Sequence, residues 1–253
     1  MADRVGPVVL VTGASRGIGR ATARRFALEG ASVAIHYASR EDAAASLLAE
    51  LGEGQHMTVR ADVGDPEEVV SLVGRVIDRF GRIDVLVNNA GIYEPHPVLS
   101  TTFADWQASW RRTLDTNLFG PANLIHAVVP VMVAEGGGRI VNVTSRGAFR
   151  GEPDHAAYGA SKAGLNSLSQ SMARALAPMG IYVTAVAPGF VETDMAARYL
   201  AGADGDAIRA QTPMGRAATA DEVAQVVVFL ASPGAESTTG TIVDVNGASY
   251  LRM

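Results

Sequence analysis

Val8-Val9-Leu10-Val11-Thr12-Gly13-Ala14-Ser15-Arg16-Gly17-Ile18-Gly19 is the stretch that decides the fold. A short β-branched run leads into three glycines, and a segment of helical periodicity follows them. Glycine lets the backbone turn tightly and approach a ligand without a Cβ in the way. The free N–H groups at a helix N-terminus attract phosphate. The stretch predicts a strand, a phosphate-binding turn and a helix, with a purely structural glycine turn as the alternative.

The same alternation continues along the chain. β-branched runs predict strands at Val8–Thr12, Ser32–Tyr37, His56–Arg60, Ile83–Val87, Arg139–Val143, Ile181–Val186 and Thr241–Val245. Helical periodicity predicts helices at Gly17–Glu29, Glu41–Leu51, Pro66–Phe80, Phe103–Ala134, Ala157–Ala177 and Ala220–Ala231. Strand and helix in alternation indicate an α/β fold, a Rossmann-type doubly wound sheet of about seven parallel strands with helices on both faces.

A single domain spanning residues 1–253 is the simplest organisation, because no linker, repeat or low-complexity tract interrupts the pattern. The one irregular stretch is Gly189–Ala218, which is rich in Gly, Pro and Asp. Its late position suits a substrate-binding loop, or lid, over a cleft.

Composition argues against several classes of function. A net charge of −5 without a basic block disfavours nucleic acid or an anionic membrane as the main partner. The absence of cysteine excludes disulfides and thiol chemistry, and the five histidines show no ligand-like pairing, so no metal is expected. Met1–Pro7 has no signal-like core, and no apolar stretch was expected to approach membrane-spanning length. A cytoplasmic location is predicted.

Lys162 is the only lysine beside twenty arginines, and it lies four residues after Tyr158. Two helix side chains at this spacing share a face. An ammonium beside a phenol favours the phenolate and is expected to lower the pKa of Tyr158, and a fall from about 10 to about 7 takes roughly 4 kcal/mol of differential interaction. Tyr158 would then exchange protons near neutral pH. Chance placement of the lysine is the alternative.

The end of the second predicted strand bears on cofactor choice. A carboxylate after Tyr37 would accept the adenosine ribose hydroxyls and favour NAD, but the chain offers Ala38, Ser39 and Arg40. Arg40 together with Arg16 of the glycine turn suits a 2′-phosphate, which predicts NADP. The alternative is that both arginines are solvated surface charges, in which case NAD is also a possible cofactor.

Together these features resemble the short-chain dehydrogenase/reductase family in its single-domain form. The resemblance covers nearly the whole chain. It implies hydride transfer between NADP(H) and a ketone or secondary alcohol. It rests on Thr12–Gly19, Asp62-Val63, Asn88-Asn89-Ala90-Gly91, Asn117, Ser145, Tyr158-Gly159-Ala160-Ser161-Lys162, and Pro188-Gly189 followed by Thr193.

The resemblance also implies roles for four catalytic residues. Tyr158 would give its proton to the carbonyl oxygen, and Lys162 would lower the Tyr158 pKa and bond the nicotinamide ribose. Ser145 would polarise the carbonyl. Asn117 would anchor a water that connects Lys162 to solvent, with a helix kink or cap as its alternative role.

The expected cofactor contacts combine the glycine turn with the resemblance. Asp62 and Val63 would touch the adenine, although Asp62 could instead serve as a capping neighbour. The full expected set is Gly13, Ser15, Arg16, Gly17, Ile18, Gly19, Tyr37, Ser39, Arg40, Asp62, Val63, Asn89, Ala90, Gly91, Tyr158, Lys162, Pro188, Gly189, Val191 and Thr193.

The substrate side is expected to be apolar with some basic groups, suited to a polar or a carboxylated ketone. Its candidate residues are Tyr93, Arg146, Phe149, Arg150, His155, Phe190, Met195 and Tyr199.

The most similar branch is the 3-oxoacyl-[acyl-carrier-protein] reductases, from Asn88–Ile92 and Ala187–Met195. Members that dock an acidic carrier typically carry basic residues where this chain has Glu135-Gly136-Gly137 and Pro178-Met179. The stretch Thr101–Arg112 also looks longer than usual. Both departures favour a small free ketone and make carrier docking doubtful.

Two other functions stay open: an NAD-dependent alcohol or sugar dehydrogenase, and a non-catalytic nucleotide-binding regulatory protein. Epimerases of the same superfamily normally carry a longer C-terminal substrate domain. The resemblance further implies a homotetramer built from the long helices around Asn117 and Tyr158 and the C-terminal strand.

Overall fold

The computed structural model describes residues 6–52, 54–202 and 205–252. Within them one sheet holds seven strands, all parallel, in the order β3-β2-β1-β4-β5-β6-β7. The strands are β1 Val8–Val11, β2 Ser32–Tyr37, β3 Met57–Arg60, β4 Val85–Asn88, β5 Gly138–Val143, β6 Ile181–Pro188 and β7 Ile242–Val245. The predicted fold class is confirmed, with strand ends displaced by up to two residues.

Helices cover both faces of the sheet. They are α1 Gly17–Leu28, α2 Glu41–Leu51, α3 Pro66–Phe80, α4 Phe103–Leu114, α5 Gly120–Ala134, α6 Gly147–Arg150, α7 Ala156–Leu176, α8 Asp194–Leu200, α9 Gly205–Ala210 and α10 Ala220–Leu230. A π-helical segment, Asp115–Phe119, joins α4 to α5. In α3, the Asp65 carboxylate caps the helix by accepting hydrogen bonds from the N–H groups of Glu67 and Glu68.

The core consists of two apolar layers, one on each face of the sheet. The first is formed with α1, α2 and α10, and contains Val11, Ile35 and Val227. The second is formed with α3, α5 and α7, and contains Leu86 and Leu124. Strands buried on both faces explain the continuous β-branched runs of the sequence.

Two sequence-based expectations were wrong. Gly189–Ala218 is not wholly irregular, because it contains the short helices α8 and α9. Each is shorter than two full turns, too short for helical periodicity to be recognised. The second wrong expectation is that no apolar stretch approaches membrane-spanning length. The stretch Phe103–Ala134 forms one continuous helix, which by length and composition alone could cross a membrane. It packs against α3 and α7, and a core helix of a globular protein passes the same test. Asn123 and His126 interrupt its apolar run.

The chain order fixes where a ligand can bind. From β1 the chain builds the sheet outward through β2 and β3, and then returns to build the other half from β4. The crevice at the carboxyl ends of β1 and β4 lies at this switch point, where ligands bind in open α/β sheets.

Candidate active site

A cleft of about 450 Å³ opens at the carboxyl edge of the sheet. Its volume lies in the range of small-molecule sites. Most residues expected to bind the cofactor line it: Gly13, Ser15, Arg16, Gly17, Ile18, Arg40, Asp62, Val63, Asn89, Ala90, Gly91, Tyr158, Lys162, Pro188, Gly189, Val191 and Thr193. The lining does not include Gly19, Tyr37 or Ser39. In β2 the side chains alternate, so His36 and Ala38 reach the cleft and Tyr37 and Ser39 do not.

The glycine turn is shaped as a phosphate cradle. Gly13 and Gly17 adopt positive φ angles of 62° and 54°, where L-residues with a Cβ are strained. No side chain caps the first turn of α1, which begins after Arg16, so its N–H groups stay available to a ligand. The turn therefore fits the pyrophosphate of a dinucleotide.

Gly19 does not line the cleft but packs behind the glycine turn. A Cβ at this position would lie 2.3 Å from the carbonyl oxygen of Gly13 and 2.5 Å from Asn89 Nδ2. Asn89 Nδ2 in turn donates to the carbonyl oxygens of Thr12 and Gly13 at 2.8 and 3.1 Å. Asn89 therefore ties the glycine turn to the end of β4, and Gly19 leaves it room.

His36 is a buried site residue that sequence reasoning missed. Its Nδ1 accepts a hydrogen bond from the Gly13 N–H at 3.0 Å, so its Nε2 carries the proton and donates to the Ala61 carbonyl oxygen at 3.0 Å. Burial lowers the pKa of His36, which keeps the imidazole neutral. His36 thus holds the glycine turn against β3. A lone histidine inside a strand gave no signal of this role.

Ser145, Tyr158 and Lys162 converge at the other end of the cleft. Ser145 follows β5, and its Oγ accepts from the Gly147 N–H at 3.0 Å. Tyr158 lies in the first turn of α7 and shares a side-chain hydrogen bond with Ser145. Lys162 lies one turn further, buried, with Nζ 5.8 Å from the centre of the Tyr158 ring. The pair shares one helix face as the spacing predicts.

The expected pKa of Tyr158 was wrong. Burial raises the pKa of Tyr158 to about 12, the Ser145 hydrogen bond lowers it, and the charge of Glu152 raises it further. The Lys162 ammonium donates to the Val143 carbonyl oxygen at 2.8 Å. Burial lowers the pKa of Lys162 to about 8. At neutral pH the phenol is protonated and the lysine charged.

Asn117 is fully buried in the π-helical segment and does not line the cleft. Its Oδ1 accepts from the Ile92 N–H at 2.9 Å, and its Nδ2 donates to the Ile92 carbonyl oxygen at 3.0 Å. A Cβ on Gly91 would lie 3.3 Å from Asn117 Oδ1 and 3.5 Å from Lys162 Nζ. Asn117 therefore holds the segment after β4 beside the lysine.

Aromatic rings form the substrate side of the cleft. Tyr93 stacks on His155 with ring centres 3.7 Å apart, and meets Tyr158 and Tyr199 edge-on at 4.7 and 5.6 Å. His155 Nε2 lies 2.9 Å from the Tyr199 hydroxyl. Of the expected substrate-side residues, the cleft is lined by Tyr93, Arg146, Phe190, Met195 and Tyr199, and not by Phe149, Arg150 or His155.

Glu152 is a second residue that sequence reasoning missed. It lines the cleft and accepts a hydrogen bond of 3.4 Å from the Tyr93 hydroxyl. Burial, with the Glu152 charge, raises the pKa of Tyr93. Its place six residues before Tyr158 was the only available signal.

Arg16 and Arg40 both reach the adenosine end of the cleft. Arg16 forms an exposed ion pair of 3.6 Å with Asp194, and Arg40 one of 3.3 Å with Asp42. Exposed pairs of this kind are weak, so both guanidiniums can turn to another anion.

The cleft combines a turn suited to a dinucleotide with the side chains of Ser145, Tyr158 and Lys162. This combination is typical of oxidoreductases that use a nicotinamide cofactor. Comparison with known proteins gives the same class. The family model described as Enoyl-(Acyl carrier protein) reductase matches residues 13–248. The chain belongs to the short-chain dehydrogenase/reductase family and is an NAD(P)-dependent oxidoreductase.

Individual relatives carry different names. The chain is 40% identical over 244 residues to a 3-oxoacyl-[acyl-carrier-protein] reductase of Staphylococcus epidermidis, covering 96% of this chain and 98% of that one. It is 41% identical over 247 residues to the same-named protein of Synechocystis sp., covering 96% and 97%. A crystal structure of a short-chain dehydrogenase/reductase, Glucose/ribitol dehydrogenase, from Brucella melitensis superposes with a TM-score of 0.88 at 34% identity, covering 97% of each chain.

Proposed function

We propose that the protein is an NADP(H)-dependent reductase of a ketone or a 3-oxoacyl-type compound. The observation that carries this proposal is the convergence of Ser145, Tyr158 and Lys162 in the cleft that also contains the glycine turn. A non-catalytic nucleotide-binding protein has no need for a buried lysine beside a hydrogen-bonded serine and tyrosine. Burying that lysine costs free energy, which a catalytic role accounts for.

A nicotinamide cofactor held by the glycine turn would supply the hydride for the carbonyl carbon. Tyr158 then gives its phenolic proton to the carbonyl oxygen, so that ketone, hydride and proton yield the alcohol. Ser145 donates a hydrogen bond that polarises the same oxygen. The Lys162 ammonium stabilises the phenolate left on Tyr158. Asn117 acts as a positioning residue by holding the segment that borders Lys162.

Preference for NADP rests on Arg16 and Arg40, because no carboxylate occupies the position that would bond the ribose 2′-hydroxyl. Arginine binds phosphate oxygens through paired donors. Initial rates at matched concentrations of NADPH and NADH test this preference. Equal or higher rates with NADH would contradict it and favour an NAD-linked alcohol or sugar dehydrogenase.

The substrate is either a small ketone or a carrier-bound 3-oxoacyl group. The 3-oxoacyl-[acyl-carrier-protein] reductases among the relatives support the second. The stretches Glu135–Gly137 and Pro178–Met179 lie at the amino edge of the sheet, opposite Ser145. They do not border the cleft of the same chain, so their lack of basic residues does not decide between the two.

A carbonyl panel read by nicotinamide absorbance tests the activity itself. The panel contains 3-oxoacyl thioesters, cyclic and linear ketones, and sugars. Oxidation of NADPH with at least one carbonyl is the expected outcome. Tight cofactor binding without turnover of any member would instead favour the regulatory protein.

We also propose that the protein is a homotetramer that works in the cytoplasm. The helix Phe103–Ala134 exposes apolar residues, among them Phe119 and Val133. Burial of this helix against a second copy would explain its apolar character without a membrane. Sedimentation of the wild type, compared with Phe119→Glu, tests the tetramer, and a monomeric wild type would contradict it.

A further inference from the structure

Arg146 is a buried cation without a carboxylate partner. Only 3% of its surface is exposed. Among the residues that the structure describes, no carboxylate oxygen lies within 4.0 Å of its guanidinium, and its polar partner is the neutral amide oxygen of Gln211, at 2.8 Å. A buried charge is costly unless it is paired. The site therefore holds an unbalanced positive charge.

Arg150 increases this imbalance. Its guanidinium donates to the same Gln211 oxygen, also at 2.8 Å. The described residues provide Arg150 with no ion pair either. Two like charges thus converge on one uncharged oxygen. Glu152 is the nearest source of negative charge that acts on Arg146, but the two do not form an ion pair.

Arg146 lies beside the reacting groups, and Arg150 lies outside the cleft lining. Arg146 directly follows Ser145 in the chain, lines the cleft, and places its guanidinium 5.1 Å from the centre of the Phe190 ring. Ser145 and Arg146 both line the cleft, so one substrate molecule can contact both residues. The Gln211 oxygen marks a position where the two guanidiniums accept an oxygen ligand.

We propose that the substrate is a ketone that carries a carboxylate within a few bonds of the reacting carbonyl, that Arg146 binds that carboxylate, and that Arg150 adds positive charge from outside the cleft lining. This inference rests on the proposed reductase function. The guanidinium of Arg146 presents paired donors that match a carboxylate. The carboxylate replaces the Gln211 oxygen and supplies the missing charge. A thioester of the same acyl chain lacks this anion.

Matched substrates test the proposal. Acetoacetate, its ethyl ester, the N-acetylcysteamine thioester and dihydroxyacetone phosphate are compared in NADPH oxidation, with 2-oxo and 4-oxo acids alongside. We expect at least one oxo acid to exceed its own ester in kcat/KM by about 10-fold or more. An ester or thioester that equals or exceeds every oxo acid would overturn the inference but leave the reductase function standing. Faster turnover of the phosphate would also overturn the carboxylate assignment. Turnover of none would contradict the reductase function itself.

Variants of the two arginines distinguish a loss of carboxylate binding from a loss of folding. Arg146→Gln and Arg150→Gln are each expected to lower kcat/KM for the preferred oxo acid by about 10- to 100-fold, mainly through KM, and to leave the ester within about 3-fold. Arg150 is exposed, so its variant keeps the test valid if Arg146→Gln fails to fold. Arg216→Gln removes the same charge from an ion pair with Glu222 and serves as the control. Equal losses for acid and ester in both Arg146 and Arg150 variants would refute the proposal.

Discussion

The Lys162 ammonium donates a hydrogen bond of 2.8 Å to the carbonyl oxygen of Val143, the last residue of β5. Ser145 follows two residues later. The end of one strand therefore places the serine and anchors the lysine, while α7 carries the lysine and Tyr158. A guanidinium is larger and planar, so arginine would place its donors differently from this compact ammonium.

Replacing Lys162 should reduce catalysis more than cofactor binding. Lys162→Arg keeps the charge but spreads it over a larger planar group, and Lys162→Met removes it. We expect each to lower kcat by about 10²- to 10⁴-fold. Titration of NADPH fluorescence should show that binding is partly retained. Near-normal kcat for Lys162→Arg would show that a compact ammonium is not required.

Lys162 should also leave a signature in the pH dependence of stability. Burial lowers its pKa to about 8 from 10.5, so between these values the unfolded chain binds more protons than the folded one. Stability from this group therefore rises with pH across that window. Urea unfolding from pH 7 to pH 10 should show the wild type gaining stability relative to Lys162→Met, by up to about 3 kcal/mol. A constant difference would mean that the lysine titrates normally.

Tyr158→Phe should abolish most activity without unfolding the protein. The phenol is the proton donor, and its removal is expected to lower kcat by about 10²- to 10⁴-fold. Tyr182→Phe, in β6 away from the cleft lining, is the matched control and should keep wild-type kcat. Melting temperatures of both variants should stay close to that of the wild type. A Tyr158→Phe enzyme with more than a tenth of wild-type kcat would exclude Tyr158 as the acid.

The sequence was sufficient for the features that depend on local chemistry. The glycine turn and the shared face of Tyr158 and Lys162 both follow from spacing. Features created by long-range contacts could not be predicted in this way. The hydrogen bond from Lys162 to Val143 spans 19 residues, and that from Gly13 to His36 spans 23. The first directs the Lys162 ammonium to the end of β5, and burial raises the Tyr158 pKa.

Cofactor choice should change when the two cleft arginines are neutralised. Arg16 and Arg40 are about half exposed and only weakly paired, so their removal should cost little stability. We expect Arg16→Gln combined with Arg40→Gln to raise KM for NADPH by about 10- to 100-fold and to change KM for NADH by less than about 3-fold. Arg112→Gln breaks an exposed pair with Glu94 and is the control. Equal effects on both cofactors would locate the 2′-phosphate elsewhere.

Gly19 and Gly74 provide a matched pair for the architecture of the cradle. A Cβ on Gly19 would lie 2.3 Å from the Gly13 carbonyl oxygen, whereas a Cβ on Gly74, inside α3, meets nothing within 4 Å. Gly19→Ala must push α1 away from the glycine turn, which should destabilise the protein by about 1–3 kcal/mol and weaken NADPH binding. Gly74→Ala should stabilise it by about 0.5–1 kcal/mol, because alanine is the better helix former, and leave binding unchanged. Urea unfolding and NADPH titration of both variants measure the two effects. Unchanged NADPH affinity in Gly19→Ala would show that the close approach of α1 to the turn is not needed for binding.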